Sequence, residues 1–210
     1  MAPRNWQKDI QPLIKKYKGQ KFPLDYRNTY QLVVMVILAG QDSDANINKV
    51  APDFFKAFPN MKSLAGAMEE DLHPLLRKVR NFANKTKWLM GLAAAIKQDK
   101  NIPLTMDGLT ALPGIGRKSA NVIMRESGAK AEGIYVDLHV VRVAPRLGIA
   151  TGTDPKNIEK QMMEVLAPKD WGEAGMAISF LGRETCRPTN PKHAECVMKK
   201  VCAYYKSLSR

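Results

Sequence analysis

Cysteine is scarce in this chain. There are three in 210 residues, all between positions 186 and 202. An odd, clustered set argues against a disulfide framework and towards a metal or cluster site. Long apolar runs are missing as well. The longest, Leu32 to Ala39, is far too short to span a bilayer, so no membrane partner is expected. The N-terminal MAPRNWQKDI lacks the apolar core of a secretory signal. An intracellular protein is therefore expected, in the cytoplasm or nucleoid if the source is prokaryotic. Acidic residues are few, 20 Asp plus Glu against 33 Lys plus Arg, which leaves a net charge of +13. Folding does not need that surplus. It suits a polyanionic partner, because cations that neutralise phosphates release counterions. A merely soluble basic protein is the plainer reading. Sustained period-two alternation bounded by turn signals is also absent, so no sheet is expected.

What is present is helical spacing. Trp6, Ile10, Leu13, Ile14 and Tyr17 form one stripe, closed by Gly19. Tyr30 to Ala39 is apolar on nearly every side, as a central buried helix would be. Ile47, Val50, Phe54 and Phe55 mark another helix, ended before Pro59. Pro74 sits near the start of a short helix through Leu75, Leu76 and Val79. Trp88, Leu89, Leu92, Ala93 and Ile96 mark the next. Two shorter helices, 106–112 and 117 to about 127, flank a PGIG turn, with Gly128 as the stop. Further helices are expected from near Asp137, from Pro155, and from about Trp171 to Gly182. The tail from Cys186 reads as irregular and basic.

The turn Pro113-Gly114-Ile115-Gly116 has a physical logic. Glycines permit positive φ and leave no side chain between backbone and ligand. Amides at the N-terminus of the following helix can hold a phosphate oxygen. Leu112 and Ile115 can anchor the turn, while Arg117 and Lys118 add charge. An ordinary tight αα turn needs only one glycine, so binding of a DNA backbone is the better reading of two. Lys118 is then either one more phosphate contact or an amine nucleophile. The helix N-terminus and Arg117 disfavour a second positive charge there, as a nucleophilic amine requires. Asp137, in IYVDLHVVRV, is a helix N-cap. A carboxylate held there could also stabilise a cationic sugar transition state or assist a nucleophile.

LPGIGRKSANVI followed by VDLHVVRV resembles the helix-hairpin-helix, Gly-Pro-Asp class of DNA glycosylases, and specifically its endonuclease III branch. The resemblance runs over most of the chain, from ILAGQDSD to the cysteine tail. It implies that Lys118 is a Schiff-base nucleophile and Asp137 its catalytic partner. It also implies that the enzyme is bifunctional, a glycosylase and an abasic-site lyase, acting on damaged double-stranded DNA as a monomer. Oxidised pyrimidines would be the substrates. Gln41 matches a family residue that fills the space left by the flipped nucleotide; otherwise it is a polar helix end. The hairpin residues Pro113, Gly114, Ile115, Gly116 and Arg117, together with His139, would contact DNA.

Two departures stand out. Where the family has a second, apolar wedge, this chain has Asn81, unless the loop is shifted and Phe82 does the job. In the tail, the family's four cysteines hold a [4Fe–4S] cluster with six, two and five intervening residues. That spacing falls here on Cys186, His193, Cys196 and Cys202, a Cys3His set. Histidine can replace cysteine on cluster iron. A structural zinc ion or an empty site are the alternatives. Arg187 and Lys192 in this loop would face phosphates, or are solvated surface charge.

The expected fold is all-α with two helical lobes. One is a helical barrel over 22–130 containing the helix-hairpin-helix at about 106–127. The other combines 1–21 and 131–210 and carries the loop 186–202. DNA would lie across the cleft between them, with Lys118 on one wall and Asp137 on the other. Competing expectations are a non-enzymatic helix-hairpin-helix DNA-binding protein and a mismatch-specific thymine or uracil glycosylase.

Overall fold

The computed structural model describes residues 4–208, and these residues are all-α, with no strand among them. The chain divides into two compact units. One is built from both ends, up to Gln20 and from Lys130 onward; the other is Lys21–Ala129. No helix among the described residues is long and apolar enough to cross a membrane.

The N-terminal stripe expected as one helix is two, α1 (Trp6–Asp9) and α2 (Gln11–Tyr17). Pro12 explains the break, because it has no N–H to give the carbonyl of Lys8 and instead suits the first turn of α2. Trp6, Ile10, Leu13 and Tyr17 are all buried nonetheless, so the stripe keeps one face across the break.

The Lys21–Ala129 unit is arranged around α3 (Thr29–Leu38). Asn28 caps it by accepting from the Gln31 amide at 2.9 Å, and Tyr30 and every residue from Leu32 to Leu38 are buried. α3 packs against α4 (Asp44–Ala57), which is followed by α5 (Met61–Ala65) and α6 (Glu69–Leu76). Pro74 lies late in α6 rather than near its start. The acidic first turn of Glu69, Glu70 and Asp71 begins the helix earlier, where carboxylates complement the helix dipole. The Asp71 carboxylate also accepts from the Met68 amide at 2.9 Å. α7 (Phe82–Ile96) and α9 (Arg117–Glu126) complete the packing on α3, and short α8 (Met106–Thr110) packs on α9. α8 stops two residues earlier than expected, as the residue before Pro113 is kept out of the helical region.

The unit made from both ends contains α10 (Leu138–Leu147), α11 (Pro155–Val165), α12 (Trp171–Glu184) and a short α13 (Ala203–Leu208). The tail is thus less irregular than expected. α12 is the centre, packed on α2 and α10 and buried from Ala174 to Gly182. Two glycines make its packing possible. A Cβ on Gly175 would lie 2.2 Å from the Tyr135 carbonyl oxygen and 2.8 Å from its amide nitrogen, both backbone atoms. A Cβ on Gly182 would lie 2.9 Å from the Cβ of His139 and 3.1 Å from Val143. The extended segment before α10 is held from another side by Glu159 of α11, which accepts from the Ile134 amide at 3.0 Å.

Two glycines of one helix therefore have opposite predicted behaviour. Gly175→Ala meets fixed backbone and should cost at least about 3 kcal/mol, lowering the melting temperature by roughly 6–12 °C. Gly172→Ala meets only Ala131, 3.7 Å away, and should leave stability unchanged or raise it by up to about 1 kcal/mol. Thermal unfolding of the two variants checks both.

Candidate functional site

In the Lys21–Ala129 unit the hairpin is a turn seated on α7. Gly114 has φ +78°, a conformation that L side chains rarely adopt, and a Cβ there would lie 3.0 Å from the Trp88 ring. A Cβ on Gly91, one turn further along α7, would lie 3.1 Å from Pro113. Trp88 and Gly91 thus form the bed for Pro113-Gly114, a support that the hairpin sequence alone does not reveal. Ile115 is buried and anchors the turn, while Leu112 is half-buried. Gly116 differs from Gly114. Its φ is −91° and nothing lies within 4 Å of a Cβ built on it. Its freedom is therefore open space above the backbone, at the N-cap of α9. The first amides of an α-helix have no acceptor within the helix, so α9 begins with donors directed at its own N-terminal end. Gly116, Arg117 and Lys118 are exposed there.

The same unit brings the Gln41 and Asn81 loops together. Gln41 and Asn81 are both exposed and both have positive φ, 61° and 59°. Between them sits Asp42. Its Oδ2 accepts from the Arg80 amide at 2.7 Å and its Oδ1 from the Ser43 amide at 2.7 Å. Asn46 donates to both carboxylate oxygens at 3.1 Å and to the Lys78 carbonyl at 3.0 Å. Partial burial raises the Asp42 carboxyl, but these donors outweigh it and hold it below its usual value. Lys85 is 1% exposed, and its ammonium donates to the Leu38 carbonyl at the end of α3 at 2.7 Å. Burial pushes Lys85 below the usual lysine value, against the pull of Asp42. Phe82, the alternative wedge, is half-buried and set edge-on to His73, with ring centroids 5.4 Å apart.

In the unit made from both ends, Asp137 caps α10 and is 7% exposed. Its Oδ1 accepts from the His139 and Val140 amides, both at 2.9 Å. Its Oδ2 accepts from the Tyr135 hydroxyl at 3.1 Å and the fully buried Ser179 hydroxyl at 2.7 Å. Arg183 lies 3.9 Å away. Tyr135, Ser179 and Arg183 come from two separate segments, and only Tyr135 lies near Asp137 in sequence. His139 is half-buried, and burial outweighs the Asp137 charge to push its imidazole below the ordinary histidine value. Arg142 approaches its Nδ1 at 3.3 Å.

α10 also holds the cysteine tail. Arg142 donates to the Gly182 carbonyl at 2.9 Å and to the Cys186 carbonyl at 3.3 Å. Arg146 donates to the Arg187 carbonyl at 2.8 Å and the Pro188 carbonyl at 3.1 Å. Cys186, Lys192, His193, Cys196 and Cys202 all line one small cavity with Leu147 and Leu181. The three cysteines are not disulfide-bonded. Burial pushes the Cys196 thiol up, and the other two thiols push it further, so the three share one neighbourhood. The His193 ring lies 5.1 Å from that of Tyr205. Among the described residues, no three His, Cys, Asp or Glu side chains converge where a single metal ion would sit. Arg187 and Lys192 are exposed, and Lys192 lies 3.4 Å from Glu195.

Residues 34–168 match the model of the HhH-GPD superfamily base excision DNA repair proteins. Endonuclease III of Synechocystis sp. is 34% identical over 192 residues, covering 90% of this chain and 88% of that protein. Endonuclease III of Bacillus subtilis is 33% identical over 193 residues, covering 88% and 87%. A trapped endonuclease III–DNA covalent intermediate superimposes with a TM-score of 0.84 at 28% identity, over 97% of this chain and 96% of that one. A thermostable thymine-DNA glycosylase shares the fold, with a TM-score of 0.77 at 18% identity, over 94% of this chain and 95% of that one.

The two hairpin glycines should separate on substitution. Gly114→Ala combines a positive φ with the Trp88 contact and should cost about 1–3 kcal/mol. Gly116→Ser places a favoured N-cap residue in open space and should keep stability within about 0.5 kcal/mol. Urea unfolding midpoints distinguish the two.

Proposed function

The chain belongs to the endonuclease III family within the HhH-GPD superfamily of base excision DNA repair proteins, and on that premise we propose that it is a bifunctional DNA glycosylase and abasic-site lyase with Lys118 and Asp137 as its catalytic residues. The observation that carries this reading is the exposed Lys118 on the first turn of α9, directly after a turn that Gly114 and Trp88 hold in place. The hairpin and the amides of α9 take phosphate oxygens of duplex DNA, and Arg117 adds charge beside them. Gln41 and Asn81 enter the space that the flipped nucleotide leaves. His139, Arg187 and Lys192 are further DNA contacts.

Lys118, as the neutral amine, attacks C1′ of the flipped nucleotide. The C1′–N bond breaks, and the base leaves with the bonding pair and a proton. The sugar ring opens to a protonated imine between Lys118 and C1′. That imine acidifies the C2′ proton, whose removal expels the 3′ phosphate by β-elimination. Water then hydrolyses the imine and frees Lys118. Asp137 stabilises positive charge developing on the sugar and assists the proton transfers. A carboxylate that accepts four hydrogen bonds is held in one orientation for that work. The substrates are oxidised pyrimidines in double-stranded DNA, and the protein works as a monomer inside the cell.

Cys186, His193, Cys196 and Cys202 would hold a [4Fe–4S] cluster. Three thiols and an imidazole that ring a cavity, rather than meet at one point, suit a polyatomic group better than one zinc ion. The cluster supplies no step of the reaction. When bound, it would cross-link a loop with little core of its own.

On duplex DNA with a preformed abasic site, Lys118→Gln should lose strand cleavage to the uncatalysed level. Asp137→Asn should lower glycosylase turnover by about 10²–10⁴-fold. Wild-type protein that leaves abasic-site and oxidised-pyrimidine duplexes uncut would overturn the assignment. Protein purified without oxygen should be brown and carry about four iron atoms per chain. A colourless, iron-free preparation would rule the cluster out, and one equivalent of zinc would replace it with a mononuclear site.

A further inference from the structure

The Gln41 and Asn81 loops carry a feature that a simple wedge does not need. Four non-glycine residues among the described ones have positive φ: Gln41, Asn81, Lys97 and Asn190. Lys97 is the C-cap of α7, an ordinary place for such a residue. Gln41 and Asn81 are different, because they lie at the two ends of one hydrogen-bonded bridge. Gln41 precedes Asp42, whose carboxylate accepts from the amide of Arg80, and Arg80 precedes Asn81. Glycine, which would adopt φ near +60° without strain, stands at position 40 and not at 41. Asn81 occupies the N-cap of α7 yet makes no side-chain cap bond; its Oδ1 accepts instead from Asn84 at 3.1 Å. Asn tolerates the left-handed region, so Asn81 sits there with little strain, its amide oxygen spent on Asn84 rather than on an α7 backbone amide. The strained backbone is that of Gln41. Strain of this kind persists only where the surroundings over-determine it.

We propose that Asp42 is a positioning residue that sets Gln41 and Asn81 as a paired amide reader of the base left unpaired opposite the flipped nucleotide. This rests on the glycosylase reading above and gives that site its opposite-base specificity. An aliphatic wedge fills space and treats the four bases alike. Two amides carry donors and acceptors in fixed directions, and a site built to hydrogen-bond one partner rejects those that leave its polar groups unpaired. Asp42 makes the pair rigid by joining both loops. Asn46 doubles the tie through Asp42 and the Lys78 carbonyl, and Lys85 fixes the end of α3 from which the Gln41 loop departs.

The test is equilibrium binding to duplexes that hold a tetrahydrofuran abasic-site analogue opposite A, C, G or T. It needs no catalysis, so it is independent of strand cleavage. Wild-type affinities should spread by at least about fivefold across the four bases. Gly tolerates the positive φ, so Asn81→Gly and Gln41→Gly keep the backbone and remove the amides. In both, the spread should fall below about twofold. Asp42→Ala should reduce the spread to the same extent, with both amides still present, and should speed hydrogen exchange at the Arg80 amide. An even wild-type profile, or a spread that survives Asn81→Gly, overturns the reader. A spread retained in Asp42→Ala removes Asp42 from it. Asp42→Ala protein too unstable to assay is replaced by Asn46→Ala, which cuts the tie to Lys78 and must narrow the spread for the positioning role to stand. Failure of the enzyme assignment shows separately, as an uncut abasic-site duplex.

Discussion

Burying a carboxylate is costly unless donors replace its water, and the Asp137 carboxylate is nearly fully buried. Much of its unit is arranged around that requirement. Two donors come from the first turn of α10, so the helix must begin at residue 138. A third is Tyr135, two residues earlier, so the approaching chain must be extended and pressed on α12. The fourth is Ser179, in the middle of α12. These positions are compatible only if the helices and the incoming segment approach closely, and Gly175 and Gly182 permit that. The same α10 then carries Arg142 and Arg146 to the start of the cysteine loop. One helix thus places the carboxylate at its N-terminus and the cysteine loop along its later turns.

The other unit meets a comparable constraint with the opposite polarity. Its hairpin carries the first amides of α9 and an exposed lysine, which are donor or cationic groups, on a firm base. Trp88 and Gly91 supply the base, Ile115 the anchor, and α3 the apolar mass behind both α7 and α9. Lys118 stays exposed, while Ile115, three residues earlier, is buried. The separation of tasks is chemically sensible. In the mechanism proposed for the two residues, Lys118 must reach a sugar carbon, while a carboxylate in the role of Asp137 works best when oriented and partly withdrawn from water.

Local signals were the legible ones. The uninterrupted apolar run of α3, the glycine-bounded hairpin and the N-cap character of Asp137 each depend on neighbours within a few residues, and all three hold. Backbone breakers are less legible. Pro12 splits a stripe that keeps its buried face, and Pro74 is tolerated late in α6 because acidic residues start that helix earlier. What was not legible depends on distant partners. Gly175 resembles any helix glycine until Tyr135 lies on it. Ser179 gives no sign that its hydroxyl meets Asp137. Lys85 did leave a trace, since it shares a register with Leu89, Leu92 and Ile96, all buried. A lysine in an otherwise apolar register asks for a buried acceptor, and the Leu38 carbonyl is that acceptor.

The proposed chemistry turns on one lysine, Lys118, forming the covalent link to DNA. Borohydride reduction of the protein during reaction with an oxidised-pyrimidine duplex, followed by peptide mapping of the adduct by mass spectrometry, tests it most directly. A single modified peptide carrying the sugar remnant on Lys118 is expected. No adduct, or an adduct placed on another lysine or on the N-terminal amine, would contradict it.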